Sequence, residues 1–277
     1  MPFNRACTGK SYSPYHVRVS GEAIARFARA LRDDNPNYTD ESRRGGILAP
    51  PAFAAVIALP ALRRAMGDQE LGVAVTDLVP LAVDLRFTKL VRPGSEVIVT
   101  ASFEAFDTLA EGDVATVRLE ASRRRGLPIF EGRVRLLDPA PSPESAWPSA
   151  PHPVTVFLRP SLAFKSQSIV EAGPPFLPNP SQAGSRRQRA PSREFLRRAL
   201  AIGYAAKALV DNCLKRDPSQ LKRIGARLVR PLQPGEILTT AAWVVEERRG
   251  TTHLGFEVLD SEGTVVLAEG IAEVVLR

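Results

Sequence analysis

Apolar residues along this chain follow two periods, one helical and one strand-like, and the two alternate in order. In "SGEAIARFARALR", residues 20 to 32, Ile24, Phe27, Ala28 and Leu31 fall at helical spacing, with Ser20 placed to cap the start. From Pro51, "PAFAAVIALPALRRAM" is apolar or small on every side, which predicts a buried helix interrupted by Pro60. From Phe195, "FLRRALAIGYAAKALVDNCL" has the same character. Val114 to Ala121 instead alternates, with Ala115, Val117, Leu119 and Ala121 on one face, and Leu254, Phe256 and Val258 alternate likewise.

These elements occur twice. "FTKLVRPGSEVIVTASFE" (87 to 104) and "GARLVRPLQPGEILTTAAWVVE" (225 to 246) both run from basic to apolar residues, through Pro93-Gly94 or Pro234-Gly235, into a strand-rich stretch. Glu96 and Glu236 follow those turns and read as surface strand residues, and "RRRG" at 123 to 126 reads as a hairpin end. Between the copies, "DPAPSPESAWPSAPHP" (138 to 153) has the composition of a linker. The expected organisation is an N-terminal unit over 1–138, a linker over 139–153 and a C-terminal unit over 154–277. Its fold class is α+β, with two curled antiparallel sheets, each around one helix. Residues 82 to 137 should match 220 to 276, and the two sheets should join edge to edge.

Composition narrows the classes. With 277 residues, 44% hydrophobic and 24% charged, the chain reads as a globular protein with a substantial core. No apolar run approaches a membrane span and the N-terminus lacks a signal-like stretch, so a cytoplasmic location is expected and a membrane is not. Cys7 and Cys213 form no CxxC pair, so neither a disulfide framework nor a metal is expected. A net charge of +7 favours an acidic partner. Only 6% aromatic residues argues against nucleic acid held by base stacking. Charge alone does not choose among nucleic acid, a membrane surface, a nucleotide-bearing cofactor such as coenzyme A and an acidic carrier protein. None of His16, His152 and His253 falls in a motif, and no GxSxG elbow is present.

The chemistry-bearing segment is "RDDNPNYTD", residues 32 to 40, followed by Gly45, Gly46 and "APPAF". Helix, DDNPNY, glycine loop and buried helix together resemble the N-terminal half of MaoC-like dehydratases, relatives of type 2 enoyl-CoA hydratases. "GYAAKALVDNCL" and "VRPLQPGE" resemble their C-terminal half. The resemblance implies a double hotdog fold and an activity on a 3-hydroxyacyl or 2-enoyl thioester of coenzyme A or an acyl carrier protein. It implies no cofactor, and association with itself or with another hotdog subunit. In that family an Asp-x-Asn-Pro-x-His motif of the C-terminal half moves protons, and N–H groups at the buried helix's start stabilise the enolate-like oxygen.

Here the motif departs from that pattern. Aligning "FLPNPSQAG" by Asn179-Pro180 puts Leu177 and Gln182 where aspartate and histidine belong. In half one, Asp33 and Asn35 stand in place and Tyr38 replaces the histidine. Asp33 and Asn35 either fix their loop by local hydrogen bonds, or Asp33 and Tyr38 carry acid/base chemistry. By the resemblance Asn35, Gly46, Asn179 and Gln182 lie near the substrate. The cluster Arg186, Arg187, Arg189, Arg193, Arg197 and Arg198, ahead of and within the start of the second buried helix, either solvates a loop or receives the carrier's phosphates. Three activities follow: a dehydratase or hydratase, a non-catalytic binding subunit of a heteromeric dehydratase, or a repurposed lyase, cyclase or isomerase of polyketide or fatty-acid-like metabolism.

Overall fold

The computed structural model describes residues 2–42, 45–139, 162–170 and 191–276. In chain order the main elements are β1 (Tyr15–Arg18), α1 (Gly21–Ala30), the short α2 (Pro36–Thr39), α3 (Phe53–Met66), β2 (Val79–Phe87), β3 (Glu96–Leu109), β4 (Gly112–Arg123) and β5 (Pro128–Pro139). The second set is β6 (Leu162–Ile169), α4 (Arg193–Cys213), β7 (Leu221–Leu228), β8 (Ile237–Arg248), β9 (Thr251–Leu259) and β10 (Val265–Val274).

All the strand pairs are antiparallel, and the ten strands form one open sheet in the order β1-β3-β4-β5-β2-β7-β10-β9-β8-β6. Read from either edge to the centre, the order is the same, which makes the sheet two copies of one topology meeting at β2 and β7. The halves therefore join into one continuous sheet, as their paired patterns imply, and both make the double hotdog arrangement. The repeated turns share their chemistry: Gly94 and Gly235 have φ of +78° and +80°, a conformation that glycine adopts without the strain of a Cβ.

At the seam the chains approach closely. Gly225 lies opposite Asp84, and a Cβ there would stand 3.1 Å from the Val83 carbonyl oxygen and 3.2 Å from Asp84 Oδ1. Beside it, Arg223 holds both Asp84 oxygens, at 2.9 and 2.7 Å, and reaches Glu273 at 3.0 Å. The bidentate geometry orders β7 against β2 across the two halves.

One core runs through both halves, with α3 against β3 and β4 and α4 against β6, β7 and the neighbouring half's β2. Ser20 Oγ accepts from Ala23 N at 3.1 Å, and Ile24, Phe27, Ala28 and Leu31 are all buried, as the spacing predicts. The expected interruption at Pro60 is not observed: α3 runs on through it, because surrounding apolar contacts outweigh the one backbone bond that proline cannot make. Glu96 is exposed, whereas Glu236 is not a plain surface residue, since it pairs with Arg230 beside Asp260.

Candidate functional site

The motif loop is built by the end of α1. Its last turn closes with Asp33 N donating to the Ala28 carbonyl at 2.8 Å, and Arg32 takes a left-handed φ of +49°. Asp33 Oδ1 then accepts from Asn35 N at 3.1 Å, and Asn35 Oδ1 accepts from the backbone and side-chain nitrogens of Asn37, each at 3.0 Å. Pro36 occupies the first turn of α2, where its missing N–H costs nothing.

The remaining amide groups cross to the other half. Asn35 Nδ2 and Asn37 Nδ2 both donate to the Arg216 carbonyl, at 2.9 and 2.8 Å, across 181 and 179 positions of sequence. Arg216 presents that carbonyl because α4 ends in two left-handed residues, Lys215 and Arg216, with φ of +49° and +64°. Tyr204 Oη adds a bond to the Ala30 carbonyl at 3.3 Å, and Gly203 lets Leu31 approach to within what would be 3.1 Å of a Cβ. The loop is thus a clamp between α1 and α4, with each polar group of Asn35 used in it.

Asp33 lies only 5% exposed, and this burial pushes its pKa up to about 6 against the pull of the Asn35 N–H; the Asp211 charge adds to the rise, while Lys207 and Arg216 oppose it. Asp211 is itself bridged by Lys207. Tyr38 is fully buried, and desolvation followed by the negative field of Asp33 and Asp211 raises its pKa well above the ordinary phenol value. A protonated, buried tyrosine can donate a hydrogen bond but is no base near neutral pH.

A separate cavity of about 100 Å³ opens between α3 and α4. Ala52, Ala55, Val56 and Leu59 line it from half one, Phe195, Ala199, Leu200 and Gly203 from half two, and β2 and β7 form its floor. Every lining residue is apolar or glycine, and Asp33, Asn35, Tyr38 and Gly46 are not among them. Asp33 and Tyr38 are therefore apart from the apolar cavity among the described residues. At the start of α3, the N–H groups of Phe53, Ala54 and Ala55 already donate to the carbonyls of Pro50, Pro51 and Ala52. This reduces what they offer a developing oxyanion.

Other expected site residues fall elsewhere. Gly46 sits beside the Arg92 guanidinium with φ of +68°. Leu177, Asn179, Gln182, Arg186, Arg187 and Arg189 lie outside the described residues, as does His152. Arg193 is exposed and Arg197 half-buried. Arg198 is not at a carrier-facing surface: it is buried, donating to the Val229 carbonyl at 2.9 Å and pairing with Glu194 at 3.0 Å. Among the described residues, Cys7, Asp68 and Glu70 have metal-ligand types in one place. The Lys10 ammonium, 2.6 and 2.7 Å from the two carboxylates, fills the position a cation would take. Both cysteines are free, and burial pushes the Cys213 thiol up to about 11.

Two copies of one helix-and-meander topology, joined in a single antiparallel sheet with an apolar cavity between their helices, define a double hotdog protein. Residues 6–131 match the FAS1-like, dehydratase domain region family. A UPF0336 protein of Streptomyces avermitilis is 32% identical over 143 residues, 50% of this chain and 95% of the relative. Among solved structures, a MaoC-like dehydratase aligns with a TM-score of 0.73 at 15% identity, covering 99% of each chain. A Mycobacterium tuberculosis protein described as having a double hotdog fold aligns with a TM-score of 0.58 at 14% identity, over 97% of this chain and 96% of that one. The chain belongs to the family of the UPF0336 relative, and its fold is that of MaoC-like double hotdog dehydratases. Among the described residues no helix is long and apolar enough to cross a membrane.

Proposed function

We propose that this protein binds a 3-hydroxyacyl or 2-enoyl thioester with its acyl chain between α3 and α4, and serves dehydration or hydration as the acyl-binding member of a pair with a catalytic hotdog subunit. The observation that carries this reading is the wholly apolar lining of the cavity. Its volume of about 100 Å³ suits a short acyl segment; dry apolar cavities of order 150 Å³ take up a small hydrocarbon. The separation of Asp33 and Tyr38 from that lining, and the use of Asn35 and Asn37 in holding α4, favour binding over self-sufficient catalysis. With Leu177 and Gln182 at the second motif, the roughly 100- to 10,000-fold contribution of positioned acid/base groups is missing there too.

A second reading rests on Asp33, whose pKa near 6 is in the range a general acid/base needs. It makes the chain a hydratase on its own, acting through Asp33 and Tyr38. One experiment separates the two: purified protein is given crotonyl and longer 2-enoyl thioesters, alone and with candidate hotdog partners, while binding is followed by calorimetry. The binding-subunit reading expects heat of binding without turnover in the isolated chain. Turnover by the isolated chain that is lost in Asp33→Asn would establish the second reading instead.

A further inference from the structure

The geometry points to a nucleotide-phosphate site at the junction of the halves, formed by Lys89, Arg92, Arg123 and Lys222. A groove of about 470 Å³ there is lined by these four cations, Thr88 and Ser219, with no carboxylate in its lining; Ser219 Oγ donates to Asp217 at 2.7 Å and Lys222 Nζ to the Ser219 carbonyl at 2.7 Å. Lys89, Arg92 and Arg123 are exposed and enter no ion pair among the described residues. The adjoining depression is the control: its Arg86 and Lys222 stand among Glu120, Glu131 and Glu273, so it is close to neutral. Unbalanced cations converging in a concavity raise the local concentration of anions, and guanidinium groups fit phosphate oxygens in pairs.

The groove is also tied to the cavity by one short piece of chain. Leu48 lines the groove and Ala52 lines the cavity. Four residues span at most about 14 Å, which a flexible pantetheine arm can bridge. The groove's apolar floor of Leu48, Phe87, Leu90 and Leu221 suits a flat base beside the phosphates. Concavity with an apolar floor fits a compact nucleotide rather than the convex face of a carrier protein, so the ligand class is the nucleotide end of a coenzyme A thioester. This assignment rests on the acyl-thioester reading for its biological ligand, and relocates the phosphate site away from the arginines around α4.

The test compares three probes by calorimetry: an acyl-CoA, the matching acyl-pantetheine without nucleotide, and adenosine 3′,5′-bisphosphate alone. The Lys89→Ala/Arg92→Ala/Arg123→Ala variant, whose changes are all at exposed positions, should bind acyl-CoA at least tenfold more weakly and acyl-pantetheine as the parent does. Added salt should weaken the parent's acyl-CoA binding, because exposed charges are screened within about 10 Å at 0.1 M. Equal acyl-CoA affinity in parent and variant would overturn the site. So would a charge-dependent affinity seen only with an acyl carrier protein. If the bisphosphate and acyl-CoA bind the parent equally well, neither binds the variant, and acyl-pantetheine binds neither protein, the groove stands and the acyl-thioester reading fails.

Discussion

The two halves share a strand order and differ in what surrounds the buried helix. In half one, α1 and the DDNPNY loop precede α3, and the loop's polar atoms are bonded to each other and to Arg216 of half two. In half two, α4 supplies the surface those atoms hold, and its own aligned motif has no ionisable side chain at Leu177 or Gln182. The lesson is that an Asn-Pro motif resembling a catalytic one can serve architecture: its amides here join the halves, while none of Asp33, Asn35 and Tyr38 lines the apolar space.

The largest effect should come from unmaking the clamp. Asn35→Ala removes a fully buried amide that bonds both within its loop and to the Arg216 carbonyl. Leaving such groups unpaired costs about 3 kcal/mol, so thermal denaturation should show Tm lower by roughly 6 to 12 °C. A change under 2 °C would mean that the clamp does not couple the halves.

Asp33 sharpens the comparison through pH. Its folded-state pKa of about 6 lies above the 3.8 of an unperturbed aspartate. Between pH 4 and 6 (roughly), the folded chain therefore holds a proton that the unfolded chain has released. On this account stability falls as pH rises through that window, by about 3 kcal/mol in all. Asp33→Asn keeps an acceptor for the Asn35 N–H and removes the charge. It should be more stable than the parent at pH 7, with the gap closing near pH 4. A gap of constant size across that range would show that burial does not set the charge state of Asp33.

The order of elements was legible in the sequence because it rests on local patterns. Ser20 with Ile24, Phe27 and Leu31 marks α1, and the matched Pro-Gly turns mark the repeated meander. β6 carried little signal, since "LAFKSQSI" has its apolar residues at 162 to 164 and 169 rather than in alternation and stands beside a proline-rich stretch. What could not be read was distance across the chain. Nothing near Asn35 announces a bond to a carbonyl 181 positions away, because the acceptor is a backbone atom exposed by the left-handed end of α4 rather than a recognisable side chain. Arg198 misled for a similar reason: in a run of arginines, the one facing inward is fixed by packing.

The smallest expected difference lies at the matched turns. Glu236 pairs with Arg230 and also accepts from Gln233 N at 2.9 Å, whereas Glu96 is exposed. Glu236→Ala should cost about 1 to 2 kcal/mol and Glu96→Ala less than about 0.5 kcal/mol. Denaturant midpoints at constant m-value report both, and equal losses would mean that the two turns have not diverged in their contacts.

The account's central claim is that the space between α3 and α4 receives the acyl chain, and calorimetric binding of a thioester series of increasing length tests it most directly. In the parent protein affinity should rise roughly fourfold for each buried methylene, the equivalent of about 0.8 kcal/mol, until the cavity is filled. In the Ala55→Phe/Ala199→Phe variant, which fills the cavity from both helices, affinity should be nearly independent of chain length. The same length dependence in both proteins would contradict the claim and place the acyl chain elsewhere.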